Sequence, residues 1–353
     1  MSSFFVFSSE GGKAQKEYPV FKKLSAILLS ALLALSLFSC SKPQKQSSNS
    51  SELTAIHISE SSADTSVEIS ASEHSEADMT APDTKYPLTF RDSYDNEMTL
   101  ESEPKRIVSC APNMTELIFQ LGAEDRLVGR SDFCDYPDSV SSIESIGAID
   151  SPSIETIIEM DPDLVLASSI FTEDTYNQLT GLGIKVIVIH EEYDVEGVSD
   201  MIMSVGEILN CNEKASELTE EMNSLIADVQ ASVEGLEKPT VYYAVSFGEY
   251  GDYTVGGDTY LHQLIEAAGG ENIAKDVVGW SYSVEALVEA DPDIILVNQY
   301  SLDIFLTTAP YSDLTAVKEG SVYGIDSNLL ERQGFRNAQG ILMLSELFHP
   351  EAN

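Results

Sequence analysis

The sequence predicts an α/β protein of two lobes with parallel sheets, joined by one long helix. Three observations carry that expectation. A fifteen-residue segment occurs twice, 130 positions apart: Ser153 to Ala167 reads SIETIIEMDPDLVLA and Ser283 to Val297 reads SVEALVEADPDIILV. Seven of the fifteen positions are identical, and a fainter echo precedes each copy, LIFQLGAED from Leu117 and LIEAAGGEN from Leu264. Apolar runs of strand length also alternate with segments of helical periodicity, the pattern of a parallel sheet covered on both faces. Finally, Glu213 to Val233 places Leu218, Met222, Leu225, Ile226, Val229 and Val233 in a single stripe at helical period. About 21 residues rising 1.5 Å each span roughly 30 Å, enough to bridge two lobes. A duplicated unit of this kind implies two lobes facing each other with a ligand between them.

Taken from the amino terminus, residues 20–40 read VFKKLSAILLSALLALSLFSC. Lys22 and Lys23 precede an apolar stretch that is too short and too abruptly ended for a transmembrane helix, so residues 1–40 are expected to hold a secretory signal. Its end, Leu37-Phe38-Ser39-Cys40, resembles the bacterial lipobox, in which the cysteine is lipidated and becomes the first mature residue. Phe38 is bulkier than usual there, and an uncleaved anchor is the alternative. Either way the protein is expected at a membrane. The first 19 residues make an unusual extension of a signal peptide, consistent with translation starting near Val20.

Residues 41–85, dominated by Ser, Glu, Asp, Lys, Thr and Gln, cannot bury enough apolar surface to offset their ordering entropy and are expected to form a disordered tether. The remaining 268 or so residues divide into an N-terminal lobe (86–195), connecting helices (196–236) and a C-terminal lobe (237–353). A net charge of −40 with pI near 4.1 argues against nucleic acid or an anionic membrane surface as partner, but would attract a basic docking surface.

Within the first lobe, Ile107 to Cys110 reads as a strand. Asn113 then opens a helix, with Glu116 three residues on in a capping-box pattern, and that helix ends at Gly122. Leu127 to Arg130 is the next strand, the first copy of the repeat supplies a helix and a strand, and KVIVI from Lys185 completes the sheet. Pro162 and Pro292 end the two repeated helices, so Asp-Pro-Asp reads as a helix-to-strand turn rather than a catalytic carboxylate pair. Val195 to Leu209 and Glu213 to Val233 are helical, separated by Asn210-Cys211-Asn212. The second lobe opens with the strand Thr240 to Ser246, then the repeated helix and strand, a strand at Ser321 to Ile325 and a closing helix from Gly334 to Phe348.

The chain resembles the substrate-binding proteins of bacterial ABC importers for cobalamin and iron chelates. RIVSCAPNMTELIFQLGAEDRLVG from Arg106, FCDYP from Phe133 and IGAIDSPSIETIIEMDPDLVLA from Ile146 carry the likeness in the first lobe. GGENIAKD from Gly269, SVEALVEADPDIIL from Ser283 and GFRNAQGILMLSELFHPE from Gly334 carry it in the second. The resemblance implies two Rossmann-like lobes on one helical backbone, limited hinge motion, and partnership as a monomer with a permease dimer and its ATPase. Glu155 and Glu285, equivalent in the two copies, match the glutamates that such proteins present to permease arginines. From the residues alone each is a first-turn glutamate favoured by the helix dipole. Glu159 and Glu289 are expected only to cover the helix surface.

In such a fold the cleft lies at the carboxyl ends of the strands. Candidate ligand contacts in the first lobe are Asp132, Phe133 and Tyr136 after the second strand, and Ser168 with Ser169 after the third. In the second lobe they are Phe247, Tyr250 and Tyr253 after the first strand, Trp280 and Tyr282 before the repeated helix, and Arg332 and Arg336 about Gly334. Related cobalamin-binding proteins place aromatics at Phe133 and, offset by one residue, at Trp280, whereas two further aromatic positions are Ile149 and Ser168 here.

With few Lys or Arg available, a large chelate of modest charge is expected, held between Phe133 and Trp280. Cobalamin or a related corrinoid is favoured, with an iron–siderophore or heme as the alternative. Cys110 and Cys134 are conceivable disulfide partners, though Cys110 fits better as a small apolar strand residue. His190, His262 and His349 show no metal-ligand spacing, so no resident metal or cofactor is expected, nor a nucleophile elbow or catalytic triad. A chelatase-like enzyme and a permease-free surface sensor are the lesser alternatives to a receptor.

Overall fold

The computed structural model describes residues 81–351. The signal segment with Cys40, and the tether up to residue 80, lie outside them. Pro82 to Lys85 do not behave as the free tether expected of them. Thr84 donates its N–H to Asn210 at 2.7 Å and its hydroxyl to the Glu207 carbonyl at 2.8 Å, while Asn212 donates to the Pro82 carbonyl at 2.9 Å. The folded body therefore begins a few residues earlier than its composition suggests.

A hairpin of β1 (Leu88–Arg91) and β2 (Glu97–Leu100), turning where Asp95 adopts φ +65°, precedes the first lobe. That lobe contains β3 (Ile107–Ser109), α1 (Pro112–Gln120), β4 (Leu127–Arg130), α2 (Ile154–Glu159), β5 (Leu164–Ala167), α3 (Glu173–Gly181) and β6 (Val186–Val188). Two connecting helices follow, α4 (Val195–Ile208) and α5 (Asn212–Val233), broken where Asn210 takes φ +54°. The second lobe contains β7 (Thr240–Ala244), α6 (Tyr260–Ala267), β8 (Glu271–Asn272), α7 (Val284–Ala290), β9 (Ile294–Asn298), α8 (Leu302–Thr307), α9 (Thr315–Glu319), β10 (Val322–Ile325), α10 (Asn328–Glu331) and α11 (Arg336–Phe348).

Both lobe sheets are parallel, ordered β4-β3-β5-β6 and β8-β7-β9-β10. These are the same order once the repeat is laid on itself. β5 and β9 follow the repeated helices, β4 follows the first copy of the fainter echo, and β8 ends the second. Each sheet alternates its side chains between two cores, as a strand covered on both faces must. Leu164 and Leu166 of β5, with Val241 and Tyr243 of β7, face a central core shared with α4, α5 and α11. Val165 and Ala167 face a separate core under Ile157, Phe171 and Leu179. Tyr242 and Ala244 do the same in the second lobe under Leu287, Phe305 and Tyr311.

The stripe read on α5 is the one it buries: Leu218, Met222, Ile226 and Val229 are inside, with Leu225 and Val233 half-buried. α5 packs against α4 and α11. Gly206 makes the first of these contacts possible, because a Cβ there would lie 2.4 Å from that of Ala215.

The Asp-Pro-Asp turns are structural in both copies. Asp161 and Asp291 adopt left-handed φ values of +46° and +39° and end their helices. The second aspartate of each turn then pins the start of the neighbouring strand. Asp163 accepts from the N–H groups of Lys105 and Arg106 at 2.8 and 3.0 Å, and Asp293 accepts from the Thr240 N–H at 2.8 Å and its hydroxyl at 2.6 Å.

Candidate functional site

The strand order reverses direction at β3 and β7, and a crevice opens at the carboxyl ends beside such a switch point. A cavity lies where the rule puts it in the first lobe. Ala111, Pro112 and Asn113 reach it from the end of β3, Phe133 from beyond β4, Ile149 from the loop before α2, Ser168 and Ile170 from beyond β5, and Glu191 from beyond β6. The second lobe contributes Asn328 and Glu331 of α10, followed by Arg332 and Gln333. The lined space is about 640 Å³, part of it open to solvent.

Polar contacts close the two lobes over this space. Arg332 Nη1 lies 2.9 Å from Glu116 Oε1 and 2.6 Å from Asp135 Oδ1, and Nη2 donates to the Phe133 carbonyl at 3.3 Å. Arg336 Nη1 lies 2.9 Å from the other oxygen of Glu116. Glu116 and Arg336 are buried, so this is a desolvated ion cluster rather than a surface pair. Gln333 adds a two-way bond with the Glu192 backbone, accepting from its N–H at 2.6 Å and donating to its carbonyl at 2.7 Å. Glu116 was expected to cap its helix. Instead the cap lies two residues earlier, at Ala111, with Pro112 at the first helical position and no side-chain cap, and the carboxylate turns to the two arginines.

Carboxyl groups around the cavity resist ionisation. Burial pushes Glu191 up to about 7, against weaker opposing pulls from its own backbone and from a hydrogen bond with Ser168. Its Oε2 is buried and has no protein partner. Glu331 is also raised by burial, with its hydrogen bond from the Tyr243 hydroxyl at 2.8 Å pulling the other way. Glu192 is raised by burial and then by the nearby charges of Asp194 and Asp200.

Of the residues expected to meet ligand, Phe133, Ser168 and Arg332 line the cavity. The others have different surroundings. Asp132 turns back to its own loop, where Ser145 donates to it. Tyr136 lies under the Arg336 guanidinium at 4.0 Å from the ring centre, and Arg336 itself serves the ion cluster. Phe247 packs edge-on against Phe305 and Tyr311 at 4.9 and 5.4 Å, Tyr282 lies against Tyr242 at 5.9 Å, and Trp280 packs on the central core. Phe247, Trp280 and Tyr282 do not line this cavity, and Asn328, Glu331, Arg332 and Gln333, not Trp280, stand opposite Phe133 in it. Tyr250 closes the helical turn Gly248–Tyr250 beyond β7.

Asn113, Ile170, Glu191, Asn328, Glu331 and Gln333 also line the cavity and were not among the sequence candidates. The signal for Glu191 was available, because it follows KVIVI as Ser168 follows its own strand. Cys110 and Cys134 are free thiols, Cys110 buried in the outer core of its lobe and Cys134 hydrogen-bonded to Thr115 and Ser131. Among the described residues no group of three or more His, Cys, Asp or Glu could hold a metal ion.

Two parallel-sheet lobes of equal strand order, closing on a cleft, agree with a family comparison in which residues 107–329 match the model described as periplasmic binding protein. The chain belongs to that family. An uncharacterised ABC transporter substrate-binding lipoprotein of Bacillus subtilis, YvrC, is 31% identical over 274 residues, 75% of this chain and 87% of its own length. A cobalamin-binding protein of Halobacterium salinarum is 30% identical over 292 residues, covering 78% and 77% of the two chains. Among solved structures, the periplasmic heme-binding protein RhuT of Roseiflexus superposes with a TM-score of 0.65 at 25% identity, covering 70% of this chain and 99% of that one. The periplasmic binding protein fold thus accounts for both lobes and for the cleft between them.

Proposed function

We propose that this protein is a receptor, not an enzyme: a monomer held by a lipid on Cys40 at the outer face of a bacterial cell membrane, which captures a metal chelate and delivers it to the permease dimer and ATPase of an ABC importer. The observation that carries this reading is the cleft closed between two duplicated lobes. The lipoprotein relative supports the anchor and the importer, and the cobalamin-binding relative supports the ligand class.

Docking falls to Glu155 and Glu285. Each is exposed in the first turn of its repeated helix, where Ser153 and Ser283 cap the backbone N–H groups of Thr156 and Ala286. One turn on, Ile158 and Val288 hold the same place in the two copies and are equally exposed, 47% each. Twofold-related carboxylates beside twofold-related aliphatic residues are what a dimeric permease would require.

A corrinoid is favoured as ligand. Apolar walls at Phe133, Ile149 and Ile170 alternate with neutral hydrogen-bonding groups at Asn113, Ser168, Asn328 and Gln333. The cation of the cavity, Arg332, already serves two carboxylates, so a polyanionic ferric catecholate would have to displace them. Because Arg332 nevertheless faces the cavity, an iron–siderophore or heme remains the second reading. Titration of the purified protein with cyanocobalamin, heme and ferric siderophores, followed by calorimetry, decides between them. Micromolar or tighter corrinoid binding is expected; binding of a siderophore alone overturns the corrinoid and leaves the receptor.

A further inference from the structure

Most polar groups of the cleft have protein partners, and one that matters does not. Glu191 sits at the carboxyl end of β6 with its N–H donated to the Ser169 hydroxyl at 3.0 Å, which fixes the backbone and directs the side chain to the cavity. A hydrogen bond with Ser168, itself 3.5 Å from Asn113 Nδ2, holds down the carboxyl pKa. Oε2 is buried without a protein partner. An unmatched buried oxygen is costly, so a ligand atom that satisfies it gains more than one meeting an exposed carboxylate.

The charged and titratable groups around it do not supply the partner. His190 and Glu192 flank it in the chain. From the facing wall come Glu331, bonded to Tyr243, and Arg332, bonded to Glu116 and Asp135. Ionised ligand groups are poorly matched: a carboxylate would be repelled by the ionised form of Glu191, and a cation would have to lose its hydration in a narrow, partly apolar space.

We propose that Glu191, with Ser168 and Asn113, forms a subsite for a neutral carboxamide of the ligand, the group that rims a corrinoid. This rests on the corrinoid reading and names the residue that would distinguish amide-bearing from carboxylate-bearing chelates. In the pairing, the carboxylic O–H donates to the amide carbonyl and the amide N–H donates to the carboxyl oxygen. Burial that holds Glu191 near a pKa of about 7 keeps the protonated form accessible at neutral pH.

The test compares the wild type with Glu191→Gln and Glu191→Ala by cyanocobalamin titration at pH 7. Gln preserves shape and both hydrogen-bonding senses, so its affinity should stay within about twofold of wild type, whereas Ala should bind about tenfold more weakly through two lost hydrogen bonds. Melting of the unliganded variants checks that the lobes remain folded, and the isosteric Gln variant gives a reading even if Ala does not fold. Ala binding like wild type overturns the subsite, as does Gln binding as weakly as Ala, and either leaves the corrinoid reading standing. Absence of cyanocobalamin binding by the wild type overturns that reading and the subsite with it.

Discussion

At the scale of single residues, the informative ones are carboxyls whose surroundings decide their role. Glu116 is buried between Arg332 and Arg336, so Glu116→Ala strands Arg336 as a buried cation without its closest anion. Such truncations cost about 3 kcal/mol or more. Urea unfolding should show a loss of that order, and a loss below about 1 kcal/mol would mean that the cluster is solvated or open in solution. The cleft carboxyls act in the opposite sense. Glu191, Glu192 and Glu331 are all raised by burial, so the folded protein holds protons that the unfolded chain releases. Their stabilisation is complete below the ordinary glutamate range and is lost as pH rises through the folded values, which for Glu191 means up to about 7. Stability should therefore decline between roughly pH 4.5 and 7. Glu191→Gln should flatten that decline and gain up to about 3 kcal/mol at pH 8. Equal pH profiles for the two proteins would show that Glu191 ionises freely. The place of Glu191 after a strand was legible in the sequence, but its protonation and the role of Glu116 were not. Spacing to Asn113 made Glu116 a capping residue, and only the meeting of α1 with Arg332 and Arg336, more than two hundred positions away, reveals otherwise.

At the scale of elements, the repeat was legible because periodicity and proline are local signals. The helix–turn–strand of each copy, the stripe on α5 and the break at Asn210 all follow from residues within a few turns of each other. Less legible was what the second aspartate of Asp-Pro-Asp does, since its partners lie across the sheet at Lys105, Arg106 and Thr240. The hairpin of β1 and β2 was missed for a related reason: its four-residue strands are polar on one face and sit beside the composition of the tether. The surroundings of the second lobe's aromatic residues were not legible, because loop aromatics serve a core or a cleft with equal ease, and Phe247 packs on Phe305 and Tyr311. If the two aspartates are equivalent strand pins, Asp163→Ala and Asp293→Ala should each lower stability by about 1 to 2 kcal/mol, the usual loss for carboxylate bonds to backbone N–H groups. Thermal melts of the two variants should move together. One variant melting like wild type would break the equivalence.

At the scale of the whole molecule, duplication offers a partner the same chemistry twice. The lobes share one strand order, so α2 and α7 hold equivalent places, each with an exposed glutamate and an exposed aliphatic residue. A twofold permease would meet both with one set of basic residues, and the acidic excess of the chain, −40, would steer the encounter. Neither Glu155 nor Glu285 forms an ion pair among the described residues, and neither lines the cavity. Reversing both to Arg should accordingly lower stability by no more than about 1 kcal/mol per helix, the first-turn dipole effect, and leave ligand affinity unchanged while abolishing uptake by reconstituted permease and ATPase. Each single reversal should weaken association about tenfold, a modest loss for one charge at an interface. Screening should weaken the wild-type association as salt rises, because charges across an exposed interface interact over only about 8 Å at physiological ionic strength. Association of the double reversal should lose that salt dependence or invert it. Normal uptake by the double reversal would remove the docking role from both helices, and a salt-insensitive wild-type association would place the contact on the aliphatic pair Ile158 and Val288 instead.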